Sequence, residues 1–464
     1  MNKKNNSSKL GSEPIGKLLR DLSIPAMIGM FVMALYNVVD VIFISYGVGI
    51  EAVAGLTIAF PVMMIMMAVS AAVGIGGASV ISRRLGENRE EEANNVFGTV
   101  ISLILLISGA GVISAFFFLE DLLILFGATP EILPYSYDYM FPIMLGTVFF
   151  AFTFATNNII RSEGNARFAM VTMIIPAVVN IILDPIFIFT LDMGVQGAGV
   201  ATVVAQGSIS IYILRYYLKG NSSLILSWTN VTLNYSLVKE ILSVGFPAFV
   251  QQASGSLMMI AINAMLIQHG SDLHVGVFGI IQRIMMFTVM PMIGVMQGMM
   301  PIVGYNYGAK NFERMRETIW LTLKVVVLCS IGVVFIMMAF PSISMRIFTN
   351  DPNAIDAGIT AMRIMFAGFF LAGVQIVAGG LYQALGKPVP ALILSLSRQI
   401  IFLIPLVLIL PQYFGIIGVF MAFPIADVLS FILSSALLYR DRDTILVKGK
   451  DEEKMVLENE EQSK

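Results

Sequence analysis

Charge is what this chain has least of. Only 12% of its 464 residues are charged, against 57% hydrophobic. That is about half the charged share of an ordinary soluble domain. It cannot cover a water-exposed surface, so a soluble enzyme is excluded. The 28 basic and 30 acidic side chains nearly cancel. No basic field exists to hold DNA or RNA. Cysteine occurs once, at Cys329 inside an apolar run, which excludes a disulfide framework and a Cys-based zinc site. The two histidines, His269 and His274, share one short loop and make no metal centre. Gly74, Gly76 and Gly77 are followed by no Lys-Ser/Thr, so they are packing residues and not a phosphate loop. With no ATP-binding motif, energy has to come from an ion gradient or an outside partner.

What is present is long apolar runs. A membrane-crossing helix needs about 20 apolar residues. Twelve runs qualify, at 17–45, 52–82, 93–118, 134–158, 168–190, 194–218, 238–268, 274–305, 315–340, 356–383, 389–410 and 414–438. They show no period-2 alternation, which rules out a β-barrel. The polar start MNKKNNSSKLGSEPIGKLL has no apolar core of its own, so the first span stays in place. The expected fold class is an all-α polytopic membrane protein with twelve transmembrane helices. Lys and Arg set the orientation. Twenty-three of the 28 fall on one side of these spans and one, Arg346, on the other. Arg283, Lys324, Arg363 and Arg398 lie within spans. Both termini are therefore expected in the cytoplasm, in a multi-pass protein of the cell membrane. The acidic tail DEEKMVLENEEQSK reads as polar and disordered.

The chain repeats itself. Pro25 matches Pro247, Gly76 matches Gly298, Gly86 matches Gly308, Phe126 matches Phe348, Pro130 matches Pro352 and Gly164 matches Gly386, all 222 residues apart. Later the register slips by one, with Gly197 matching Gly418. This predicts two pseudo-symmetric six-helix bundles in a 6+6 parallel repeat. The N-terminal lobe is placed at 1–218, a cytoplasmic linker at 219–237, the C-terminal lobe at 238–440 and the tail at 441–464. Such duplication is a transporter architecture, with a binding site near mid-depth and rocking-type alternating access.

Function should show where the halves differ. Span 1 carries Asp40 and span 5 carries Asp184; at the same offset stand Ile262 and Leu406. Asn180 corresponds to Phe402, and Thr202 to Phe423. A carboxylate at mid-bilayer costs about 2.5–3.5 kcal/mol on insertion scales, so two in one half need compensation. Tyr36 and Asp40 are i,i+4 on one face, as are Asn180 and Asp184. Pro185 offers no N–H to the Ile181 carbonyl. Gly197, Ala198 and Gly199 let span 6 approach closely and bring Thr202 to similar depth. Oxygens from Asp, Asn, Thr and backbone suit a hard cation such as Na+. Two close carboxylates resist double ionisation, which suits a proton equally well. Both ions remain open on these residues.

These residues carry a resemblance. The chain resembles the multidrug and toxic compound extrusion (MATE) family over nearly its full length. The resemblance rests on LYNVVDVIFI in span 1, RSEGNARFAM after span 4, NIILDPIFI in span 5, GVQGAGVAT in span 6 and GYNYGA after span 8. It is nearest to the prokaryotic branch with Asp on both helices 1 and 5. It implies a V-shaped export pump driven by Na+ or H+ influx. The implied cation site comprises Asp40, Asn180, Asp184, the backbone of Ala198 and Thr202. The implied coupling network comprises Tyr36, Tyr139 and Asn157, and the hinge is Pro25. Some relatives carry essential acids in the C-terminal half at positions that are apolar here; Asp427 is the one clear acid in a C-half span.

The expected function is a secondary antiporter that exports amphipathic or cationic organic compounds in exchange for Na+ or H+. It is not an enzyme and uses no cofactor beyond the coupling ion. Its partners are small organic substrates and the lipid bilayer, not nucleic acid, and it is monomeric. Arg283, Met285, Met286, Gln251 and Asn263 are cavity candidates, flexible Met suiting promiscuous apolar binding. Arg398 and Asp427 are expected to pair structurally. Two alternatives stand beside this reading. A lipid-linked glycan flippase of the same superfamily would need several cleft cations, and only Arg283, Arg363 and Arg398 are available. A membrane receptor or sensor without net transport has no need of the repeat.

Overall fold

A computed structural model describes residues 7–220 and 222–442. The described residues are helical, with no strand among them. We number the membrane helices in chain order. They are α1 (Ile15–Gly47), α2 (Ile50–Gly86), α3 (Glu90–Phe117), α4 (Leu133–Leu145 and Thr147–Ser162), α5 (Ala166–Pro185) and α6 (Gly194–Leu218). The second half has α7 (Tyr235–His269), α8 (Asp272–Gly308), α9 (Phe312–Ala339) and α10 (Pro352–Phe366 and Phe369–Ala384). It ends with α11 (Pro388–Leu396, then Ser397–Leu403 and Ile404–Ile409) and α12 (Ile416–Arg440). Ten of these are long and apolar enough to cross a membrane alone. The other two, α4 and α10, cross as bent pairs, with angles of 62° and 50° at Gly146 and near Gly368. All twelve expected spans are thus present.

The repeat is visible in the element boundaries. Helices α2 and α8 both have 37 residues, and α3 and α9 both have 28, each pair starting 222 positions apart. The turns before α3 and α9 are held open by Asn88 and Lys310, at φ of 58° and 57°. Short helices at Leu119–Leu125 and Pro341–Arg346 also correspond, and no apolar run had announced them. The helix ends fall within a few residues of the expected spans. Gly415, at φ 59°, turns the chain just before α12 begins at Ile416.

Two compact units result. One comprises Met1–Leu10 with Ile24–Ala253, the other Gly11–Ser23 with Ser254–Lys464. The first turns of α1 and α7 therefore belong to the opposite repeat. Small residues allow it. Within the first unit, a methyl group on Gly76 of α2 would overlap the Ile241 carbonyl of α7. Within the second, a methyl on Gly298 of α8 would meet Ser23 of α1. Arg83 and Arg84 both reach Glu240, at 3.2 and 3.3 Å, and tie the end of α2 to the start of α7. The polar tail expected at 441–464 lies outside the described residues from 443 onward.

Candidate functional site

The N-terminal unit builds its site from four helices. Helix α1 runs unbroken through Pro25 and carries Asp40, which is 4% exposed. The first segment of α4 brings Tyr139, whose phenol donates to Asp40 Oδ2 at 3.4 Å. Helix α5 carries Asn180 and Asp184, at 1% and 0% exposure. Its α-helical hydrogen bonding ends at Pro185, and a π-helical turn, Ile186–Thr190, takes over. The missing N–H of proline accounts for that change. Helix α6 supplies Thr202, whose hydroxyl accepts from the Asn180 amide at 3.3 Å. Its close approach is made by glycine. A Cβ on Gly197 would press on the Phe187 carbonyl, and one on Gly199 would press on the carbonyl of Tyr139. Ala198, between them, is fully buried in an apolar cluster with Tyr139, Met140 and Ile188.

Asp40 and Asp184 lie within interaction range of one another, with Tyr36 near both. The oxygens around them are short of donors. Asp40 Oδ1, both carboxylate oxygens of Asp184 and the Asn180 carbonyl oxygen are buried without a hydrogen-bond partner among the described residues. Buried acceptors left unmatched cost about 1–3 kcal/mol each, more when charged. A proton or a hard cation removes that cost by bridging them. Among the described residues no group of three His, Cys, Asp or Glu could hold a metal ion, so a transition metal finds no ligand set here.

Asn157 stands apart from this set. It lies on the second segment of α4, beyond the bend at Gly146. Its amide donates to the Ala169 carbonyl and the Thr172 hydroxyl, both at 2.8 Å, and its oxygen accepts from Arg161. Its hydrogen-bonding capacity is thus filled without either carboxylate. The cavity candidates divide between the two units. Gln251 is exposed and belongs to the first unit. Asn263, Arg283, Met285 and Met286 belong to the second. There Arg283 and Met286 are exposed, Asn263 is half-buried and Met285 is buried in the packing. Arg398 and Asp427 do pair, Nε to Oδ1 at 2.7 Å, where a π-helical stretch of α11 meets α12.

One buried acid went unanticipated. Glu163, just after α4, is fully buried and accepts from the Ser222 hydroxyl and from the Ser223 N–H at 2.8 Å. Burial pushes its carboxyl up to about 7, against the pull of those donors. In sequence it is an acid in a polar loop, which ordinarily means a solvated one. Only the linker folded over it reveals otherwise.

The family profile MatE matches residues 25–186 and again 247–409, more than half of the chain and in the register of the repeat. The chain belongs to the MATE family. Among curated relatives, the multidrug export protein MepA of Staphylococcus haemolyticus is 26% identical over 439 residues, covering 93% of this chain and 95% of that protein. Among solved structures, the MATE multidrug transporter DinF-BH, in a ligand complex, is 65% identical with a TM-score of 0.87, covering 94% of this chain and 98% of that one. An outward-facing multidrug resistance MATE transporter of the MOP superfamily is 29% identical with a TM-score of 0.88, covering 96% and 98%. The twelve-helix fold and the family resemblance read from sequence both hold.

Proposed function

We propose that this MATE chain is a secondary antiporter of the cell membrane. It exports amphipathic or cationic organic compounds in exchange for inward Na+ or H+, as a monomer with both termini cytoplasmic. Asp40 and Asp184 carry the coupling ion, with Asn180, Thr202 and the Ala198 backbone completing the site. Tyr36 and Tyr139 orient the carboxylates, and Pro25 gives α1 its freedom to bend. Multidrug export by relatives over nearly the full chain supports the transport activity.

One observation carries the coupling assignment: four buried acceptor oxygens from Asp40, Asn180 and Asp184 have no donor among the described residues. Such a set favours whatever brings positive charge to it. Coupling then requires only that ion and substrate favour different states or compete. The flippase reading is not favoured, since Arg398 is engaged by Asp427 and few cations remain.

The test is efflux of a fluorescent cation from energised vesicles, with sodium and proton gradients imposed separately. Wild type should show efflux under at least one gradient. Asp40→Asn and Asp184→Asn should each abolish it at normal expression. Retained coupling in either variant removes that residue from the site.

A further inference from the structure

Helix α9 carries an open groove of about 990 Å³ along its N-terminal half, walled on the far side by Val374 of α10. Arg316, Trp320 and Lys324 follow one another at i,i+4 spacing along it, and all three are exposed. Glu313 and Glu317 line the groove beside them, each three residues before a member of that row, Arg316 and Trp320. None of these four charged side chains forms an ion pair with another among the described residues. Deeper along the helix the floor becomes apolar, through Val327 and Leu328. Snorkelling alone would account for Lys324 but not for the arrangement around it.

The other repeat shows what is unusual here. At the 222-residue offset, Asn94, Gly98 and Ser102 of α3 take the places of Arg316, Trp320 and Lys324. There the chain covers its own helix. The Ile225 N–H donates to Asn94 Oδ1 at 2.8 Å, and a methyl on Gly98 would overlap the Asn230 carbonyl. On α9 the small and neutral residues that accept a backbone are replaced by two cations and an indole. Trp320 is 65% exposed.

We propose that this groove binds a phospholipid with a primary ammonium headgroup, phosphatidylethanolamine, from the leaflet on the side assigned above as cytoplasmic. Two rows of side chains run side by side along α9, Arg316, Trp320 and Lys324 in one and Glu313 and Glu317 in the other, with the apolar floor further in. A zwitterionic headgroup between the rows meets the cations with its phosphate and the carboxylates with its ammonium, while its acyl chain lies on the apolar floor. Lysine bends its head toward the interface, which brings the Lys324 ammonium toward the level of Trp320, one turn away. Trp belongs at the headgroup boundary, where its ring is apolar and its N–H is wet. A purely anionic headgroup would leave Glu313 and Glu317 facing like charge. A choline headgroup has no N–H to donate to them.

The test is native mass spectrometry of the full chain, delipidated in detergent and titrated with phosphatidylethanolamine, phosphatidylcholine or phosphatidylglycerol. Phosphatidylethanolamine should bind tightest. Arg316→Gln and Lys324→Gln should each weaken it about fivefold, as expected for one cation near a membrane surface. Glu313→Gln with Glu317→Gln should raise phosphatidylglycerol binding, a gain that misfolding could not produce. Inorganic phosphate and glycerophosphoethanolamine should not displace the lipid. Displacement by either would show a soluble phosphate site and overturn the proposal. So would equal affinity for all three lipids, or lipid binding seen only after residues 443–464 are removed, which would make the groove a seat for the chain's own end.

Discussion

The phenol of Tyr139 donates to the carboxylate of Asp40 at 3.4 Å, joining α4 to α1 across 99 positions of sequence. The other oxygen of Asp40 has no donor among the described residues. A hydrogen bond to a charged group contributes about 1.5–3 kcal/mol. Tyr139→Phe should therefore slow ion-coupled dye efflux by about tenfold or more, with the protein still expressed. Unchanged efflux would reduce the phenol to a packing group.

Asn157 leads to the opposite expectation. Its amide joins α4 to Ala169 and Thr172 of α5 and to Arg161. Asn157→Ala should lower the melting temperature in detergent, by the equivalent of about 1–3 kcal/mol for the buried groups left unmatched. The ion dependence of whatever efflux remains should match wild type. A variant that melts normally but loses its response to the ion gradient would return Asn157 to the coupling network.

The Arg398–Asp427 pair permits a cycle of substitutions. Asp427 is 1% exposed, and removing its partner leaves a buried charge uncompensated. Arg398→Met should cost about 3–5 kcal/mol, and Arg398→Met with Asp427→Leu should recover most of it. Thermal melting reads both. If the double variant is stable but has lost ion coupling, the C-terminal half takes part in coupling after all.

Glu163 makes stability depend on pH. Its carboxyl is raised from 4.5 to about 7 by burial. The folded chain therefore holds the proton more tightly than the unfolded chain does. The resulting stability is fully present below about pH 4.5, is lost as pH rises to about 7 and stays lost above it. Glu163→Gln should flatten the melting temperature across that window. A slope equal to wild type would mean that other groups set it.

Much of this was legible in the sequence, for physical reasons. Spans are visible because a bilayer demands uninterrupted apolar length. The repeat is visible because turn-forming residues such as Gly164 and Gly386, at φ 83° and 67°, cannot be exchanged freely. Asp40 and Asp184 are visible because charge is costly at that depth. The pairing of Asn180 with Thr202 and the break at Pro185 followed from spacing and from the chemistry of proline. The bend at Gly146 did not, because its angle comes from packing between helices and not from local preference. Tyr139 and Asn157 lie on opposite sides of that bend. Glu163 was hidden for a related reason: its burial is created by the linker residues Ser222 and Ser223, distant in sequence.

The assignment of Gly11–Ser23 to one unit and of the α7 start to the other has a practical consequence. Severing the chain anywhere in 219–237 would not yield two self-sufficient pieces. Each fragment would carry away a strut that its counterpart needs, and each would leave a strip of glycine-lined helix bare. Whatever gene duplication first produced the pair, each repeat now completes a unit of the other, and the two must mature together.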